Sequence, residues 1–256
     1  MFKNKKNLVI AITTADLDAL RISVPPLRDF AHCATLVIYN DNSDTKLTRP
    51  VIKKLGWRGQ VHIINADQAC GELQARIGLM KFIVAHCADA EWTQFVNDTD
   101  VLINTEIPDV SKNAFAVVQN ATILSNKVTD IFKISHKWAT GTEYGKTGPR
   151  FDIAGPILRT MFLGEFCAFL EPLVPQIEKL AGKAHNQPSV GAIMWAALTA
   201  FMRARYPYTA PIYMNRTNYV AITMGTGTND AHSKLLQKYN ELFELAASEN
   251  MVASAQ

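Results

Sequence analysis

Apolar runs and polar breaks alternate through the first hundred residues. Residues 8–14 (LVIAITT) form an apolar run rich in branched side chains. That is the pattern of a strand buried on both faces of a parallel sheet. Residues 16–30 carry Leu17, Leu20, Ile22, Leu27 and Phe30 at helical spacing, with Pro25-Pro26 marking an interruption or end. A second strand is predicted over 35–39, stopping at the polar cluster Asn40-Asp41-Asn42-Ser43-Asp44. The pattern then predicts a helix over 45–55 despite Pro50, a strand over 61–65 and an amphipathic helix over 72–86. A fourth strand over 92–96 ends in Asn97-Asp98-Thr99-Asp100, and a fifth covers 114–118. Strands alternating with helices over 8–103 imply an α/β fold with a parallel, doubly wound sheet. In such sheets ligands bind beyond the carboxyl ends of the strands. The polar clusters at Asp41 and Asp98 lie at two of those ends.

Beyond residue 119 the alternation is lost. Gly141, Gly145, Gly148 and Pro149 mark a long loop region. Helices are predicted over 162–170 and 189–204, a short strand within 213–223, and a C-terminal helix over 233–247. Met224-Gly225-Thr226-Gly227-Thr228-Asn229-Asp230 reads as a flexible loop. There is no internal repeat, low-complexity tract or linker composition, so a single domain over 1–256 is expected.

Composition narrows the classes. The 256 residues suffice for a full core, and 48% hydrophobic with 19% charged residues is ordinary for a soluble globular protein. A net charge of +3 does not argue for nucleic acid as a partner. It is compatible with anionic substrates or with loose contact at an anionic membrane surface. Cys33, Cys70, Cys87 and Cys167 are scattered, with no CxxC pair, which argues against a zinc site and a disulfide framework. Reduced thiols fit a cytoplasmic protein. The basic start, Lys3 to Lys6, imitates a signal peptide, but the apolar run after it is short and Asp16 and Asp18 follow at once. The longest apolar stretch, 190–202, contains Gly191, Trp195 and Thr199 and is flanked by Arg203 and Arg205. It reads as a buried helix, and no transmembrane segment is expected.

The strongest chemical feature is Phe95-Val96-Asn97-Asp98-Thr99-Asp100-Val101-Leu102-Ile103. Two carboxylates, one residue apart, follow an apolar strand. On an extended segment both point to the same side. Mn²⁺ and Mg²⁺ are hard ions that favour oxygen ligands and are commonly shared between carboxylates and substrate phosphates. The same four polar residues are also good turn chemistry.

In this setting the chain resembles glycosyltransferases of the GT-A type. Val37-Ile38-Tyr39-Asn40-Asp41-Asn42-Ser43-Asp44 resembles their family 2 signature, an apolar strand followed by Asp-Asp-x-Ser-x-Asp. Ala75-Arg76-Ile77-Gly78-Leu79 resembles Ala-Arg-Asn-x-Gly, with Ile77 in place of Asn and Gly78 one place early. Asp98-Thr99-Asp100 fills the metal position. The second half is similar to the family 8 type. There Phe151-Asp152-Ile153-Ala154-Gly155 resembles a Phe-Asn-x-Gly segment, His185-Asn186-Gln187-Pro188 an Asp-Gln segment with Asn186 in place of the acid, and His232-Ser233-Lys234 a C-terminal His followed by Lys.

The resemblance implies a Rossmann-like, mostly parallel sheet flanked by helices. It implies a nucleotide-sugar-binding half over 8–103, an acceptor-binding half over 104–235, and a C-terminal helix and tail over 236–256. Asp98, Asp100 and His232 would hold Mn²⁺ or Mg²⁺. Asp41 would contact the base or ribose, with Asp44 and Thr13 or Thr14 nearby, and Arg76 and Lys234 would face the diphosphate. The donor would be a nucleoside-diphosphate sugar, with uridine the leading base, and the acceptor a glycan or other hydroxyl compound. An inverting transfer needs a general base. Asp152 ranks first, with Glu143 and His185 as the other candidates. Trp138, Tyr144 and Trp195 have rings suited to stacking on sugars or to core packing. Two rival readings stay open: a sugar-phosphate nucleotidyltransferase, although Thr13-Thr14-Ala15-Asp16 lacks that class's glycine-rich phosphate loop, and a catalytically inactive GT-A binding module.

Overall fold

The computed structural model describes residues 8–97, 100–102, 114–119, 126–141, 157–181, 190–206, 210–214 and 221–223. In the first part, β1 (Leu8–Thr14), β2 (Ala34–Asn40), β3 (Val61–Asn65) and β4 (Trp92–Asn97) form the strands. The helices between them are α1 (Leu20–Ser23), α2 (Arg49–Lys54) and α3 (Glu72–His86). After β5 (Asp100–Leu102) and β6 (Ala114–Gln119) come α4 (Asn126–Thr140), β7 (Ile157–Arg159), α5 (Leu163–Leu170), α6 (Val174–Leu180) and α7 (Val190–Arg205). Strands β8 (Ala210–Met214) and β9 (Ala221–Thr223) follow.

Seven strands form one sheet in the order β3-β2-β1-β4-β7-β6-β8. The expected α/β architecture is therefore present, and its mostly parallel sheet is compatible with a Rossmann-like fold. It departs from a uniformly parallel sheet at β7, which runs antiparallel to both β4 and β6. Strands β5 and β9 form a separate antiparallel pair.

The period-2 alternation of the strands sorts the core into two layers. Val9 and Ala11 of β1, Val37 of β2 and Phe95 of β4 face α3, α5, α6 and α7. Leu8, Ile10 and Ile12, with Leu36, Ile38, Trp92 and Val96, face α1 and α2. Burial on both faces explains why these strands read as unbroken apolar runs rather than as alternating ones.

Several expectations are corrected. Residues 16–30 are not one helix: a single turn, α1, gives way to a 3-10 helix over Pro25–Phe30. Two successive prolines lack the N–H groups an α-helix needs there. Helix α2 starts at Arg49, not at 45, with Pro50 in its first turn, where the missing N–H is harmless. The single strand expected within 213–223 is two, β8 and β9. Helices α4 and α6 and strand β7 went unpredicted. The helix expected over 233–247 lies outside the described residues.

Candidate functional site

The carboxyl ends of β1, β2 and β4 lie side by side, with β1 in the middle. Thr13 pairs in register with Tyr39 on one side and with Asn97 on the other. Thr14 pairs with Asn40 and is buried. Its hydroxyl donates to the Asp16 carbonyl at 2.7 Å and accepts the Asp16 N–H at 3.1 Å, which turns the chain sharply out of β1. Thr13 is half-buried on the face that carries α3.

Asn40 ends β2 with no exposed surface. Its amide donates to the Thr45 carbonyl at 2.7 Å and to Asn65 Oδ1 at 2.9 Å, and its Oδ1 accepts the Asn42 N–H. Asn65, at the end of β3, clasps both backbone groups of Leu47. Asn42 donates to the Ala15 carbonyl at 3.1 Å, while its Oδ1 accepts the N–H groups of Asp44 and Thr45. Three asparagines thus shape the polar cluster after β2. Asp44 itself is exposed.

Asp41 is only 7% exposed. Its Oδ1 accepts the Cys70 N–H at 2.8 Å and the Cys70 thiol at 3.2 Å, and its Oδ2 accepts the Gly71 N–H at 2.9 Å. Gly71 has φ of +87°, a conformation that favours glycine, and α3 begins at the next residue. The carboxylate therefore ties the end of β2 to the head of α3. Oδ2 keeps acceptor capacity for one further donor. Cys70 is exposed as a residue, yet partial burial of its thiol and the bond to Asp41 push its pKa up. The Tyr39 hydroxyl lies 3.7 Å from that sulfur, and burial chiefly pushes it to about 12. Both groups are neutral at physiological pH.

Arg76 lies one turn into α3 and is 6% exposed, so it is not on a solvated helix face. Glu72 Oε1 accepts from Arg76 Nε at 3.2 Å and from Nη2 at 3.0 Å. The Trp195 ring of α7 stands 6.0 Å from the guanidinium carbon and packs on Phe95 of β4, centroids 5.2 Å apart. Trp195 is therefore a core residue, and Trp138 is half-buried against the same layer. The chain anchors the arginine toward the last residues of β4 through Trp195 and Phe95.

Two features of topology gather the later chain at this edge. Strand β5 begins at Asp100, which pairs with Thr223 of β9. Thr223, the last described residue, thereby lies opposite Asp100. Strand β7 runs against β4, with Ile157 opposite Gln94 and Arg159 opposite Trp92. The chain therefore enters β7 from the side where β4 ends, five positions after Asp152. Asp98, Glu143, Tyr144, Asp152, His185, His232 and Lys234 lie outside the described residues, and of Asp100 the backbone alone is described. Among the described residues no three of His, Cys, Asp and Glu cluster closely enough to hold a metal. All four cysteines are free thiols, and Cys87 and Cys167 are buried. No helix among the described residues is long and apolar enough to cross a membrane.

Sequence reading missed Asn40, Asn42, Asn65, Tyr39 and Cys70. Asparagine at the ends of two successive strands was the available signal, since a buried amide demands partners. No family model and no curated protein matches this chain.

Proposed function

We propose that this chain is a metal-dependent glycosyltransferase of the GT-A type. It transfers a sugar from a nucleoside-diphosphate sugar, with uridine as the base, to a hydroxyl acceptor such as a glycan. The observation that carries the reading is the pairing of Asp100 with Thr223. It sets Thr223, nine positions before His232, opposite Asp100, although more than a hundred residues separate the two in the sequence. An acidic pair directly after a parallel strand, within reach of a C-terminal histidine, suits this chemistry. Nine residues of chain span at most about 30 Å, ample for His232 to return to Asp100.

The donor set of two aspartates and one histidine fits a hard or borderline divalent cation. When bound, Mn²⁺ or Mg²⁺ supplies neutralisation of charge on the departing diphosphate. The chain's own residues do the rest. Arg76, held by Glu72 and backed by Trp195, offers a fixed cationic group near the end of β4. Lys234 adds a second phosphate contact. Asp41 and Thr13 border the nucleoside side, Asp41 through its spare Oδ2 capacity, and Asp44 offers an exposed carboxylate for ribose hydroxyls. Asp152, five positions before β7 in the sequence, takes the acceptor proton, with His185 and Glu143 as the other candidates for that role.

A thermal-shift panel of nucleoside diphosphates and nucleotide sugars, with and without Mn²⁺, tests the reading. At about 100 times its dissociation constant a ligand adds roughly 2.7 kcal/mol of stability. Uridine diphosphate with Mn²⁺ is expected to raise Tm, and Asp100→Ala to abolish the metal-dependent part. Failure of every nucleotide to shift the wild-type chain would sink the proposal.

A further inference from the structure

The opposite edge of the sheet holds a cavity of about 320 Å³, at the low end of the range for small-molecule sites. It opens where β1, β2 and β4 begin and where α3 ends. Thr35, Gln60, His32, His86 and Asp89 supply its polar wall, over a small apolar floor that includes Val9 and Ala34.

The lining chemistry selects a ligand class. Among the described residues no lysine or arginine lines the cavity, and the one fixed charge they place there is the Asp89 carboxylate, so an anion is disfavoured. The wall is too polar for an apolar guest. It offers one hydroxyl, one amide and two imidazoles, each able to give or take a hydrogen bond, plus a carboxylate that only accepts. A ligand that both donates and accepts around its rim, with apolar C–H faces for the floor, meets all of these. A neutral pyranose does so, and paired hydroxyls donating to a carboxylate make strong, charge-assisted bonds.

A second observation extends the same surface. His86 stacks tilted on Phe82 at 4.3 Å between centroids, and Phe82 on His62 at 5.5 Å. Gln60, on the cavity wall, bonds the far ring at His62 Nε2, 3.1 Å away. A ladder of rings thus leads out of the cavity along α3 and β3, a surface on which the C–H faces of further sugar units can lie.

We propose that this cavity and its ring ladder form a saccharide-binding site for neutral sugar units, distinct from the edge where Asp41 and Asp100 lie. On a chain that builds or modifies a glycan, such a site would hold a remote part of the acceptor. The site itself stands independently of that reading.

Saturation-transfer NMR on the full chain tests it, with glucose, galactose, N-acetylglucosamine and their β-linked disaccharides as probes. Sodium phosphate and putrescine serve as an anion and a cation control. At least one neutral sugar is expected to give saturable binding, and a disaccharide to bind more tightly than its monomer. Gln60→Ala and Asp89→Ala, both at exposed positions and therefore tolerable to the fold, are each expected to weaken it about tenfold. Asp100→Ala is expected to leave it unchanged. Absence of binding by every sugar, undiminished binding in both variants, or competition by phosphate or putrescine would overturn the proposal. Nucleotide shifts are read in a separate experiment, so the two proposals fail independently.

Discussion

Asp41 shows how one side chain can serve the framework before it serves a ligand. Three of its acceptor positions are taken by Cys70 and Gly71. From sequence the residue read as a nucleoside contact, because its partners lie 29 and 30 positions further on. Oδ2 keeps room for one more donor, but the bonds that are made hold α3 against β2. Asp41→Ala would strand two N–H groups near the protein surface. A loss of about 1–3 kcal/mol is expected in chemical denaturation. The same change removes a negative neighbour that pushes the Cys70 thiol up. The pH profile of Cys70 alkylation by iodoacetamide should therefore move to lower pH in the variant, since the thiolate forms earlier. An unmoved profile would mean that Asp41 does not restrain the thiol. Arg76 was legible as a functional candidate by residue type and resemblance. Its burial was not, because Glu72 and Trp195 complete its surroundings from one turn away and from α7.

The elements differ in how far their sequences announce them. Helix α3 occupies 72–86 as its apolar spacing predicts, and β3 occupies 61–65. The span of α3 was legible, but the amphipathic stripe expected for it is not there: apolar residues are spread around the helix and Arg76 is among those it buries. Strand β7 has three residues, too few for any period to register. Gly78 marks another limit. It read as a motif glycine one place out of step, whereas its role is packing. A Cβ at Gly78 would meet the Tyr39 ring at 2.8 Å, so the missing side chain lets α3 settle onto β2. Gly78→Leu is expected to lower stability by about 1–3 kcal/mol, because the ring and helix must part. It should also disturb the Tyr39–Cys70 contact, visible as a changed tyrosine fluorescence or ring shift in NMR. Wild-type stability in this variant would place the helix further from the sheet than the contact implies.

At the scale of the molecule, seven strands supply a rigid platform, and the β5–β9 pair is a small addition to it. The two can be separated experimentally. Ile222→Pro breaks the β5–β9 ladder opposite Val101, because proline removes a donor and fixes φ. Thermal unfolding of the main sheet is expected to change by only a few degrees, while the metal-dependent nucleotide shift disappears. An intact shift would detach the C-terminal segment from the site. The platform was legible in the first hundred residues because parallel strands with local crossovers repeat one simple alternation. The second half was legible only in part: the strand expected over 114–118 and the helices over 162–170 and 189–204 match β6, α5 and α7, whereas β7 and β8 join β6 across long stretches of sequence that leave no period.

Strand β7 has an effect on how such a chain can change. Because it alone runs against its neighbours, the connection leading into it opens on the same rim as the turns that leave β1, β2 and β4. Lengthening or rewriting the chain before Ile157 leaves the register of the four strands β1 to β4 undisturbed. A single reversed strand thus gives the scaffold one point of entry, at Ile157, where the incoming chain can vary in length while the geometry of β1 to β4 stays fixed.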